Sequence, residues 1–100
     1  MKLLLITGIK EFENEIKQIL KHSGIKSFSL QSVKGYKNNS GNRLGNWFGT
    51  HDPGVDSLLF TVFAECGCLD DIYNRVEEFN QKQESLSKVH IATLSTEKSI

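Results

Sequence analysis

Two cysteines separated by one residue, Cys66-Gly67-Cys68, are the most reactive pair in the chain, and His51, Asp52, His22 and His90 are the other side chains able to join them. Thiolates and imidazoles are soft or borderline ligands suited to zinc or copper, so Cys66, Cys68 and His51 form a candidate metal set. The spacing differs from the C-x-x-C of a zinc knuckle, and further ligands would have to come from the fold. The plainer reading is a pair of reduced cysteines in a strand-to-helix turn. A bridge across one intervening residue would be strained, so no disulfide framework is expected and a reducing compartment fits. Thr50-His51-Asp52-Pro53 contains a His-Asp pair, but no nucleophile stands beside a positioned base and Asp-Pro is ordinary turn chemistry. The chain reads as a protein without a catalytic centre.

A second group is aromatic. Asn46, Trp47 and Phe48 lie in a polar stretch rich in Gly, Asn and Ser. Large rings in such a setting suit a partner surface, because Trp is enriched where binding energy concentrates. The alternative is an anchor that folds the stretch onto its own protein. A third group is cationic: Lys34, Lys37 and Arg43, with Lys88 further on, could hold an anionic effector by charge-assisted hydrogen bonds, or could be solvated surface charge.

The elements that position these groups follow from periodicity. Leu3 to Thr7 is an apolar run suited to a strand covered on both faces. Phe12, Ile16, Ile19 and Leu20 recur at helical spacing, with Glu11, Glu13 and Glu15 toward the start and Gly24 as the stop. Ile25 to Tyr36 alternates, Phe28 and Leu30 facing one way and Ser27, Ser29 and Gln31 the other. Residues 37–56 carry turn formers without a sustained period and read as a long loop, a length usually functional in a small domain. Leu58 to Ala64 is a strand apolar at nearly every position. Asp70 to Asn80 is a helix with Leu69, Ile72, Tyr73, Val76 and Phe79 on one side. Val89 to Leu94 is the last strand. The order is that of an α+β, ferredoxin-like βαββαβ domain over residues 1–100: an antiparallel four-stranded sheet with two helices on one face. Apolar residues on both faces of the first and third strands predict self-association.

Bulk properties narrow the classes. One hundred residues make a single small domain, 38% hydrophobic residues suffice for a core, and zero formal net charge argues against a nucleic-acid binder. No apolar run reaches the roughly 18 residues of a membrane span. The apolar start, Met1 to Ile6, stops at Thr7-Gly8, too short for a signal sequence, so a cytoplasmic protein is expected.

Met1-Lys2 before an apolar strand, Ile9-Lys10-Glu11-Phe12, Gly24-Ile25 and Val33-Lys34-Gly35-Tyr36 resemble the PII signal-transduction proteins. The resemblance covers the first third of the chain in detail, and the element order covers all of it. It implies a homotrimer with a partner-contacting loop (the T-loop) after the second strand and a small-molecule effector cleft between subunits at the base of that loop. By position it implies that Ser29, Gly35 and Lys88 stand at the ligand, and Lys34, Tyr36 and Lys37 at the loop base complete the candidate ligand-binding set. It also implies a partner for the loop, a membrane transporter or efflux system, met through Asn46, Trp47 and Phe48.

The departures from the family pattern are specific. Its glycine-rich phosphate-cradling connector is here Gln83-Glu84-Ser85-Leu86-Ser87, without a glycine. The C-terminal arginines are absent, leaving Lys98. These differences argue against ATP bound in the family's standard way and leave the effector open. The alternative from the same fold family is a trimeric divalent-metal-binding protein resembling CutA, using the cysteines and histidines.

Overall fold

The computed structural model describes residues 1–36, 54–83 and 87–100. Four strands and two helices follow one another as β1 (Lys2–Ile9), α1 (Glu13–His22), β2 (Ser29–Gly35), β3 (Val55–Ala64), α2 (Leu69–Lys82) and β4 (His90–Ser95). A 3₁₀ turn, Lys10–Phe12, leads into α1, and another, Cys66–Cys68, leads into α2. The sheet order is β2-β3-β1-β4 with every neighbouring pair antiparallel, and the two helices cover one face. This is the expected α+β, ferredoxin-like arrangement.

Opposite residues in an antiparallel pair share a face, so the register sorts the side chains. Leu4 and Ile6 of β1 lie opposite Val62 and Phe60 of β3 on the helix-covered face, and all four are fully buried. Phe12, Ile16 and Leu20 from the first helical segment and Ile72 and Val76 from α2 complete the core. The Phe12 and Phe79 rings meet edge to face with centroids 5.0 Å apart, a contact that contributes roughly 1 kcal/mol beyond area burial. Gly8 lets α1 approach the sheet: a Cβ there would stand 3.0 Å from Ile16 Cδ1.

α1 ends as the sequence dictates. Gly24 has φ +85°, its N–H donates to the Lys21 carbonyl, and the Ile25 N–H donates to the Leu20 carbonyl, a Schellman closure that positions the chain for its return to the sheet.

Two boundaries differ from expectation. β3 begins at Val55, so residues 55–56 belong to the strand and not to the preceding loop, because Gly35, Lys34 and Val33 give Val55, Asp56 and Ser57 cross-strand partners. β2 begins only at Ser29, opposite Thr61; Ile25 to Phe28 alternate in sequence but pair with no strand. Phe28 instead tilts its ring against Phe60, with centroids 5.6 Å apart.

Candidate functional site: the neck between the second and third strands

The chain leaves β2 at Gly35 and re-enters the sheet at Val55, and these two residues are direct partners. One step beyond, the Gly54 N–H donates to the Gly35 carbonyl at 2.9 Å, which closes the ladder. Gly54 has φ +78°, a conformation in which an L side chain is strained. The Tyr36 ring stands beside it, its Cε1 3.7 Å from where a Gly54 Cβ would be. Tyr36 is itself largely exposed.

One residue inward the neck is charged. Lys34 Nζ donates to Asp56 Oδ1 at 2.7 Å and to the Gly54 carbonyl at 3.3 Å. Lys34 and Asp56 are cross-strand partners on the helix-side face, at a strand end the helices leave open to solvent. The hydrogen bond from Lys34, and then its charge, hold the Asp56 carboxyl below the ordinary aspartate range, and Lys10 adds to the effect. The same bond and the charge of Asp56 raise Lys34. Beside the pair lies a cavity of about 420 Å³ bordered by Lys10, Glu11, Val55 and Asp56.

Lys34, Gly35 and Tyr36 thus stand together at the neck. Lys37, Asn46, Trp47, Phe48 and His51 lie outside the described residues. Ser29 opens β2 at the end opposite the neck, six register positions from Gly35, on the sheet face away from the helices, where it borders a cavity of about 200 Å³ with Ser27, Phe28, Thr61 and Phe63.

Lys88 precedes β4, at the same end of the sheet as the neck but separated from β2 by two strands. Its ammonium donates to the Asn80 carbonyl at 2.9 Å and the Gln83 carbonyl at 3.4 Å, where a cation complements the negative end of α2. An anion reaching Lys88 would compete with these neutral acceptors.

Among the described residues the cysteines and His90 stand apart. Cys66 and Cys68 form the turn just beyond Ala64, the partner of Lys2, whereas His90 pairs with Thr7 toward the other end of β1. The Cys68 thiol donates to the Glu65 carbonyl at 3.3 Å and packs against the core. No three His, Cys, Asp or Glu side chains converge as a ligand set among the described residues.

Sequence reasoning missed Asp56 and Gly54. Their signal is a residue type, an acid and a positive-φ glycine, that gains meaning only once the register sets Asp56 opposite Lys34. No helix among the described residues is long and apolar enough to cross a membrane.

No protein-family model matches the chain, and no curated protein does. Among solved structures it is similar to the crystal structure of a DUF3240 family protein from Shewanella baltica OS155, with a TM-score of 0.68 and 9% identity over 98% of this chain and 91% of that one. At that identity the likeness establishes the small α+β fold, independently of any shared sequence motif.

Proposed function

We propose that this chain is a PII-like regulatory protein of the cytoplasm. In this reading it is a homotrimer that takes a small anionic effector at clefts between subunits and acts through residues 37–53 on a partner, a membrane transporter or efflux system. The observation that supports it is the neck. Among the described residues the Lys34–Asp56 ion pair, the Lys34 bond to the Gly54 carbonyl and the backbone bond from Gly54 to Gly35 join the two ends of the intervening segment.

An anion that draws Lys34 away from Asp56 changes both ends of that segment together. Ionised acceptors make the stronger hydrogen bonds, so an effector carboxylate or phosphate can compete with Asp56 for Lys34 and with the α2 carbonyls for Lys88 of a neighbouring subunit. Gly35 and Tyr36 border the same place and Lys37 follows them in the sequence, while Ser29, at the far end of β2, would meet the ligand only from a neighbouring subunit. The effector acts by population shift: it favours whichever neck state it binds better, to the extent of that difference. Trp47 and Phe48, with Asn46, supply the partner contact.

Replacing Trp47 and Phe48 together by Ala tests the docking role. Capture of the transporter partner should be lost while the oligomer is retained; undiminished capture sinks that role. A thermal-shift screen with adenine nucleotides, cyclic dinucleotides and bicarbonate tests the effector. A true effector raises the melting temperature as its concentration rises, and the rise should vanish in Lys34→Ala.

A further inference from the structure

The helix layer carries a groove that the neck does not use. A cavity of about 200 Å³ lies between α1 and α2, with Ile19 and Phe79 at its apolar part and His22, Arg75, Glu78 and Lys82 around them. Ile19 and Phe79 are half-buried and pack against the core, and Phe12 holds the Phe79 ring edge-on, so this apolar floor is set before anything binds. Among the described residues its rim sets three basic side chains, His22, Arg75 and Lys82, against one acidic side chain, Glu78. Arg75 and Lys82 are separated by two turns of α2, about 10.5 Å, and Phe79 stands between them on the same face. Each cation touches a carboxylate of its own helix: Arg75 Nε donates to Asp71 at 3.0 Å and Lys82 Nζ to Glu78 at 3.2 Å. These are weak surface pairs that leave further N–H donors on both cations, whose side chains are 42% and 72% exposed.

We propose that this groove docks an acidic amphipathic helix of a partner protein, its apolar residues on Ile19 and Phe79 and its carboxylates, two turns apart, on Arg75 and Lys82. A helix laid in a groove presents anchors at i, i+3, i+4 and i+7, the spacing that the floor and the two cations require. A basic helix would meet Arg75 and Lys82 as like charges, and a wholly apolar one would strip water from them without supplying an acceptor. A nucleic acid would bring phosphates, but the zero net charge of the chain gives it no general attraction. The contact uses none of residues 37–53 and is independent of the effector and of the oligomer.

The probe is a stapled helical peptide of about 16 residues, labelled with fluorescein and centred on Glu-x-x-Leu-Leu-x-x-Glu. That pattern reads the same in both directions, so the direction of the docked helix need not be known. Fluorescence anisotropy with the full chain should give saturable binding with a dissociation constant below about 1 mM. Arg75→Gln/Lys82→Gln should weaken binding about five- to tenfold with an unchanged circular dichroism spectrum, because both side chains are exposed. Glu78→Gln, which removes the acidic rim residue, should tighten it. Peptides with Lys in place of both Glu, or Ala in place of both Leu, should bind at least about tenfold more weakly. Amide chemical-shift changes should centre on residues 18–22 and 75–82. Trp47→Ala/Phe48→Ala should bind the peptide as wild type does, so the groove and the loop contact of the proposed function fail separately. The inference is overturned by absence of saturation at about 1 mM, by equal binding of the Lys peptide, or by shift changes centred away from the two helices.

Discussion

Asn80 closes two hydrogen bonds on one residue: its Nδ2 donates to the Val89 carbonyl and its Oδ1 accepts from the Val89 N–H, both at 2.8 Å. A side-chain amide here does what a neighbouring strand would do, pairing both backbone groups of a residue that is nearly inaccessible to solvent. The clamp fixes the end of α2 to the approach to β4 and so holds Lys88, the intervening cation, over the helix carbonyls.

Removing that amide should be costly for its size. Asn80→Ala leaves a buried donor and a buried acceptor unpaired, at about 1–3 kcal/mol each, so chemical denaturation should show a loss of at least about 2 kcal/mol. Asn80→Asp keeps the acceptor and should lose less. A loss below about 0.5 kcal/mol for Asn80→Ala would show that the clamp is dispensable.

The neck ion pair makes a signed pH prediction. Asp56 lies below its ordinary value of 3.8, so its contribution is present above that value and disappears as pH falls through the folded-state pKa. Lys34 lies above its ordinary value of 10.5, so its contribution is present below that value and disappears as pH rises through its own folded-state pKa. The pair therefore favours the closed neck over the whole neutral range. Both groups are solvent-exposed, so salt should weaken the effect. Carboxyl NMR should find the Asp56 midpoint below 3.8, moving up toward it in Lys34→Gln.

Gly54→Ala tests the backbone of the neck. The open space beside Tyr36 admits a methyl group, but φ +78° does not suit an L residue, and the cost should be about 1 kcal/mol. Hydrogen exchange at the Gly35–Val55 end of the ladder should quicken in the variant, while the Leu4 and Phe60 amides in mid-sheet stay protected.

Zinc or copper titration addresses the CutA-like alternative. With the reduced protein we expect no stoichiometric uptake. One equivalent bound by wild type and lost in Cys66→Ser/Cys68→Ser would establish a metal site and displace the regulatory reading.

Much of the fold was legible because burial imposes a period. Ile16 and Leu20 mark α1, Ile72 and Val76 mark α2, and Gly24 stops α1 by its left-handed conformation. Period reports which way a side chain faces, however, and not what the backbone pairs with. Ser27 and Phe28 therefore read as strand although pairing begins at Ser29, and Val55 and Asp56 read as loop because their polar, glycine-flanked context hides the partners that Gly35 and Lys34 provide. The candidate site was half legible. Val33-Lys34-Gly35-Tyr36 announced itself as a motif, whereas Asp56, twenty-two residues from Lys34, acquires a role only through register. The double bond from Asn80 to Val89 was invisible for the same reason.

The bond from Gly54 to Gly35 makes the chain between them a closed ring in the topological sense, because its two ends are tied whatever conformation it takes. Closure entropy grows only as the logarithm of ring size, about 0.6 kcal/mol for each doubling. Residues can therefore be added or exchanged between 37 and 53 with little penalty to the sheet. The segment can therefore change in length and wording at little cost to the sheet, so long as Lys34, Gly35, Gly54 and Asp56 keep the anchor.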